Sequence, residues 1–290
     1  MVVLNLKPYR DRNGLLKECR VYYNVLLLKN LKLIKPVVLK KDFDYVCVVT
    51  GKVGLGKSVF AQQIAKFFDE DFTLDKVCFS ADEFIKVTTE CPKGSAVILD
   101  ESFESLNTKV GMSPDFLKII NHLSIIRQRN LFLILVLPDF FDLNKTVALN
   151  RSHHLFYVYG EKFGDRGDFE VFSSDNKRML YIKGGKFRDY RAWKPNFRGH
   201  FSNSRVLDRI EYENKKKKHL QEQLKQLTPY QTGLEVKREI KLVKLIRHMN
   251  EKEGWSLRKI GRIIGMFQPN ISDLLLKYTS DTDIPPRRGS

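Results

Sequence analysis

Between Val46 and Phe68 the chain reads VCVVTGKVGLGKSVFAQQIAKFF: an apolar run, a turn with three glycines, then an amphipathic stretch. A run apolar throughout and followed at once by a helix belongs to a strand buried on both faces, which commits the chain to a covered parallel sheet. The turn, Gly51-Lys52-Val53-Gly54-Leu55-Gly56-Lys57-Ser58, matches the pattern G-x-x-x-x-G-K-[ST] with a strand before it and a helix after it. Glycines let successive backbone N–H groups turn inward around phosphate oxygens, and the N-terminus of the next helix adds positive partial charge. Lys57 is suited to the outer phosphates and Ser58 to Mg²⁺. A turn that only reversed strand into helix would not need Lys-Ser after its last glycine. Gly51, Lys52, Val53, Gly54, Leu55, Gly56, Lys57, Ser58 and Val59 are therefore the candidate nucleotide-binding residues.

A second feature sharpens this. Ala96-Val97-Ile98-Leu99-Asp100-Glu101 reads as a buried strand ending in two carboxylates. At the carboxyl end of a parallel strand neighbouring the first, Asp100 would face the phosphates and hold Mg²⁺ through water. Glu101 can then polarise an attacking water, so the paired acids point to hydrolysis, with Lys57 and Glu101 as catalytic candidates. Both motifs, in this order and on these elements, predict a nucleoside triphosphatase. No N-K-x-D base-reading motif accompanies them, because Asn144-Lys145 is followed by Thr146 and Val147. ATP is expected over GTP.

The alternation continues along the chain. Strands are predicted at Tyr45–Thr50, Lys76–Phe79, Ala96–Leu99, Leu131–Leu137 and His154–Tyr159. Helices are predicted at Ser58–Phe68, Ala81–Thr89 (capped by Ser80), from Ser113 to about Arg127, and at Leu143–Asn150. The expected fold is α/β, a phosphate-loop NTPase core with a mainly parallel sheet covered by helices. Residues 1–44 carry a weaker signal and read as an N-terminal extension, with strands at Val21–Leu28 and Leu31–Leu39. After Gly160 the period changes, and Phe169–Phe172 and Met179–Ile182, joined by SSDNK, read as an appended β-hairpin. The core with its hairpin is placed at 45–204 and a basic helical linker at 205–233, ending in the punctuation Thr228–Gly233. A small all-α domain with a tail is placed at 234–290.

With 290 residues there is room for one such core and a small second domain. The net charge of +17 is unevenly spread. From Lys177 to Ser290 there are 27 Lys and Arg against 12 Asp and Glu, whereas residues 1–176 hold 24 against 22. That skew suggests an anionic partner for the C-terminal part, nucleic acid before membrane; the plainer alternative is a solvated basic surface. The run Lys215–Lys218 is open to the same two readings. Four cysteines show no metal-ligand spacing with the six histidines, and Cys47 and Cys78 sit in apolar runs as small buried hydrophobes. His153-His154 read as packed or surface histidines rather than ligands. The aromatic and basic residues at 187–201 read as a flap over the core, the alternative being a stacking surface for single-stranded bases. No stretch is apolar for long enough to span a bilayer, and a cytoplasmic protein, in a host cell if viral, is the expectation.

Asp44 to about Lys183 resembles the DNA-pumping ATPases of the FtsK/HerA superfamily. Within it the chain is most similar to zonula-occludens-toxin-like and viral genome-packaging proteins. The stretches that carry the likeness are TGKVGLGKS, VILDES, a helix ending Ile126-Arg127-Gln128-Arg129-Asn130, the strand LFLILVLP, DLNKTVALNRSHHLFYVYG and FEVFSSDNKRMLYI. The resemblance implies an ATP- and Mg²⁺-dependent motor acting on DNA as a homo-oligomeric ring, a hexamer being one candidate. It also implies an arginine that completes the next subunit's site. Arg127 and Arg129 are the candidates by position, with Arg151 a third. The family often carries a polar residue, commonly Gln, at the end of the fourth strand; here Leu137-Pro138-Asp139 stands there, and Asp139 is the candidate substitute.

GWSLRKIGRIIGMFQPNISDLLLKY, Gly254 to Tyr278, resembles a helix-turn-helix. Ser256 is placed to cap a helix with Ile260, Ile263 and Ile264 facing inward, Gly261 where two helices approach, and Gly265 at the left-handed turn. Gln268-Pro269 opens the second helix, Ile271, Leu274 and Leu275 packing back, and Glu235–Asn250 would support both. Gln268, Asn270, Ser272 and Asp273 would meet base edges of duplex DNA; Arg258, Lys259, Arg262 and Lys277 would meet phosphates. The preferred function is an ATP-driven DNA translocase or packaging motor. The competing ones are a helicase loader or transposition helper, and a DNA-binding regulator switched by ATP.

Overall fold

The computed structural model describes residues 2–100, 114–162 and 164–277, and divides into two compact units, Met1–Lys216 and Lys217–Ser290. The first opens with strands β1 (Val2–Arg10) and β2 (Leu16–Tyr23), an antiparallel pair, then helix α1 (Val25–Lys40). The central sheet takes β3 (Tyr45–Thr50), β4 (Val77–Cys78), β5 (Ala96–Asp100), β6 (Phe132–Leu137), β7 (His154–Tyr159), β8 (Asp168–Phe172) and β9 (Phe197–His200). Its order is β4-β5-β6-β3-β7-β8-β9. The first five pair in parallel and the last two antiparallel. Helices α2 (Lys57–Phe68), α3 (Ala81–Glu90), α4 (Pro114–Ile125) and α5 (Ser174–Gly184) connect them.

Every residue of β3, β5 and β6 is buried. Successive side chains leave a strand on opposite faces, so the sheet divides two apolar layers. Tyr45, Cys47 and Val49 join Phe60, Ile64 and Phe68 of α2 and Leu27, Leu31 and Val38 of α1. Val46 and Val48 join Phe84 of α3 and Ile119 and Leu123 of α4 on the other side. The five parallel strands all end at one edge, and there the glycine turn sits.

Three expectations are corrected. Residues 25–40 form a helix rather than strands: Asn24 Oδ1 accepts from the N–H groups of Leu26 and Leu27, and the buried residues Leu27, Leu28, Leu31 and Val38 recur at helical spacing. The true N-terminal hairpin lies earlier, at 2–23. Met179–Ile182 is also helical, because Lys177, Leu180 and Gly184 are the buried residues of α5 and the spacing is three and four. The partner of β8 on its far side is β9 instead, out of the aromatic and basic stretch read as a flap over the core.

Helix α6 (Arg209–Arg247) is continuous through Thr228–Gly233, where the sequence reads as a break. Pro229 removes one backbone donor, but the Leu, Gln, Lys and Glu residues around it favour helix. In the second unit α7 (Leu257–Ile264) and α8 (Gln268–Lys277) follow, with Ile246, Ile260 and Ile271 as the buried core. Ser256 Oγ accepts from Lys259 N–H, and Gly265 closes α7 with φ +70°. A Cβ on Gly261 would meet the Met266 carbonyl oxygen at 2.4 Å. Ile263 is 57% exposed and so faces outward rather than inward.

Candidate nucleotide site

The turn after β3 is held open by its backbone. Gly51, Gly54 and Gly56 have φ of +143°, +85° and +95°, angles that residues with a Cβ rarely adopt. Gly51 is fixed twice, since a Cβ there would lie 2.1 Å from the Val158 carbonyl oxygen of β7. Gly56 caps α2 without a side chain, so the first-turn N–H groups, including those of Lys57, Ser58 and Val59, face the turn with no cap supplied from Gly56. Lys57 Nζ donates to the Lys52 carbonyl at 3.0 Å, folding the ammonium back across the loop. Val53 at the tip is 88% exposed, while Leu55 packs against the apolar layer below.

Asp100 ends β5 and is 1% exposed. β5 does not neighbour β3, as the sequence reading had it; β6 lies between them. The register sets Asp100 level with Val136, and Val136 level with Val49. The backbone of Asp100 is therefore two strand spacings, about 10 Å, from the strand that launches the turn, at the same edge. Oδ2 of Asp100 accepts from the Tyr212 hydroxyl on α6. Glu101 lies outside the described residues.

The donor set suits a polyphosphate with a hard divalent cation: left-handed glycines ahead of a helix N-terminus, an ammonium, a serine hydroxyl and a buried carboxylate at the same edge. Lys57 and the turn's N–H groups would hold phosphate oxygens, and Ser58 and Asp100 would hold Mg²⁺. No group of three or more His, Cys, Asp or Glu among the described residues could hold a metal by itself.

At the end of β6 the candidate sensor Asp139 is already engaged. It accepts from the Tyr190 hydroxyl at 2.8 Å and the Phe141 N–H at 3.0 Å, and Arg188 lies 3.4 Å away. Tyr190 stacks on Tyr157 at 3.8 Å between centroids, and its oxygen lies 3.4 Å from Thr50 Oγ1. Burial pushes its phenol well above the ordinary tyrosine value. Sequence reasoning found the stretch around Tyr190 as a flap but neither Tyr190 nor Tyr212 as individuals. Tyr212 lies in a charged helix far along the chain, and only folding brings it to β5.

The arginines part company. Arg129 donates to the Cys91 carbonyl of its own chain at 2.7 Å, ahead of β5 and β6 and thus at the edge opposite the glycine turn. Arg151 is 9% exposed, donates to the Leu123 carbonyl and pairs with Asp44 at 3.7 Å. This is an internal strut and not an arginine offered to a neighbour, a correction of the third candidate. Arg127 has its backbone in a 3₁₀ turn, Ile126–Arg129, and its side chain lies outside the described residues. His153 and His154 pack at the start of β7, where Val46 N–H donates to His153 Nδ1 and the Tyr45 hydroxyl pairs with His154 Nδ1. Burial lowers both, His154 to about 4.

In the second unit Arg258, Lys259, Arg262, Gln268, Asn270 and Asp273 are exposed. Lys259 Nζ lies over the Trp255 ring at 4.1 Å. Ser272 Oγ donates to the Gln268 carbonyl, so its hydroxyl hydrogen is used within the helix. The side chain of Lys277 lies outside the described residues. No described helix is long and apolar enough to cross a membrane.

No family model matches the sequence, and no curated protein does. Among solved structures, the chain is similar to the genome-packaging NTPase B204 of Sulfolobus turreted icosahedral virus 2, at 13% identity and a TM-score of 0.34 over 46% of this chain and 93% of that one. It is similar to the N-terminal domain of zonular occludens toxin from Neisseria meningitidis, at 14% and 0.35 over 48% and 90%. The FIGL-1 AAA domain in complex with ADP gives 11% and 0.35 over 58% and 77%. At these scores none of the three assigns an activity to this chain.

Proposed function

We propose that the first unit binds ATP and Mg²⁺ in the glycine turn and hydrolyses the nucleotide to move duplex DNA. It would act as a ring of identical chains, with the C-terminal helices as a helix-turn-helix that recruits the DNA. One observation carries the nucleotide part. Three glycines with positive φ open directly onto an α2 that no side chain caps, at the sheet edge where Asp100 is buried. The motor part is supported by the resemblance of residues 44–183 to the FtsK/HerA superfamily, and the recruiting part by the exposed basic and amide residues of α7 and α8.

In this reading Lys57 leaves the Lys52 carbonyl to neutralise the outer phosphate, and the first turn of α2 holds the inner ones. Bound Mg²⁺ would supply positive charge to the phosphate oxygens, held by Ser58 and Asp100. Glu101 takes the proton of the attacking water. With Arg129 tied to Cys91, Arg127 is the stronger candidate for completing a neighbouring subunit's site.

Lys57→Ala should abolish ATP binding in a titration, and Glu101→Gln should bind ATP but turn it over at least a hundredfold more slowly. Duplex DNA should stimulate hydrolysis by the unaltered chain. Unchanged affinity in Lys57→Ala would remove the turn from the site. Hydrolysis indifferent to DNA would favour an ATP-switched DNA-binding regulator.

A further inference from the structure

The start of α6 is pinned to the parallel sheet at two points one turn apart. Asp208 caps it, its Oδ1 accepting from Ile210 N–H at 2.8 Å and Glu211 N–H at 2.9 Å. Tyr212 then enters the apolar layer, 8% exposed, with its ring 5.8 Å from that of Phe79. Lys215, on the same face, donates to the Val77 carbonyl at 2.6 Å and the Leu74 carbonyl at 3.2 Å, and pairs with Glu83 at 2.7 Å. The apolar slot asks only for a ring. The hydroxyl adds something else, a hydrogen bond donated to Oδ2 of the buried Asp100.

A phenol donating to a carboxylate forms a charge-assisted bond that fixes the rotation of the group. We propose that Tyr212 is a positioning residue for the metal at Asp100: by holding Oδ2 it sets the orientation in which the carboxylate receives Mg²⁺ with the nucleotide. The proposal rests on the nucleotide reading above. It gives α6 a direct part in the chemistry of the glycine turn, because the same first turn that meets Asp100 begins the helix running to Arg247. A carboxylate without this donor is freer to rotate, and each productive encounter with the cation then costs more ordering.

The test uses the full chain and a fluorescent ATP analogue, titrated with and without MgCl₂. Tyr212→Phe keeps the ring and removes the hydroxyl. It should raise the Mg²⁺ concentration at half-maximal binding about tenfold, with metal-free affinity changed less than twofold and the melting temperature nearly unchanged. Lys215→Met loosens the same helix start without touching Asp100, and should leave the Mg²⁺ midpoint within twofold. An unchanged midpoint in Tyr212→Phe overturns the proposal, and so does an equal loss of binding with and without the metal. An equal rise in both variants assigns the effect to helix docking and overturns it too. If the unaltered chain binds no nucleotide, the nucleotide reading falls as well, which separates the two failures.

Discussion

Gly51 and Gly261 stand in different units, yet each is kept small by a carbonyl oxygen, that of Val158 in one case and Met266 in the other. Gly51 also carries φ +143°, so Gly51→Ala meets strain and collision together. It should lose about 2 kcal/mol or more in chemical denaturation, before any nucleotide is added. His154 sets a second expectation at this scale. Its folded value near 4 lies below the ordinary 6.5, so the fold favours the neutral ring. The contribution is fully present above about pH 6.5 and is lost as pH falls toward 4, amounting to about 3 kcal/mol. His154→Gln should flatten the stability profile across that window, measured by urea unfolding at several pH values. The glycines and Lys57 were legible because each residue type has one physical use in such a turn. Tyr190 and Tyr212 were not, since a tyrosine's local sequence says nothing about which distant carboxylate its hydroxyl will meet.

Elements were legible where one period ruled a segment. β6 is apolar throughout, β3 and β5 are apolar up to Thr50 and Asp100 at their ends, and α7 announces itself with Ser256 before it and Gly265 after it. Removing that cap in Ser256→Ala should cost about 1 kcal/mol and lower the melting point of the C-terminal unit's helical signal, read by circular dichroism. α5 was misread because FEVF and MLYI are both rich in strand formers; the buried positions 177, 180 and 184 reveal the helix only once a sheet exists to bury them. α1 was misread for a related reason. Leu, Ile and Val fill ten of the fifteen positions of 25–39, too wide an apolar spread for one face to mark a period, and Asn24 was the one local cue. β5's separation from β3 had no local cue at all, being a matter of which strand inserts between them.

At the scale of the whole molecule the charge is the feature that sequence alone locates, and its use is measurable. If Arg258, Lys259, Arg262 and Lys277 each neutralise a phosphate, log affinity for duplex DNA should fall with log salt at a slope of about −3 to −4. Arg258→Ala with Arg262→Ala should reduce that slope by about 2, while Gln268→Ala with Asn270→Ala should leave it unchanged and weaken sequence preference. A final consequence concerns sulfur. Cys19, Cys47, Cys78 and Cys91 are free thiols, all buried, and burial raises each above the ordinary cysteine value. Thiol reagents should therefore find nothing to label in the native chain and four groups in denaturant. The protein is a ready-made silent background for dyes. A single cysteine introduced at exposed Val53, or at exposed Asp273 on α8, would report on that one place alone, with no native residue to be removed first.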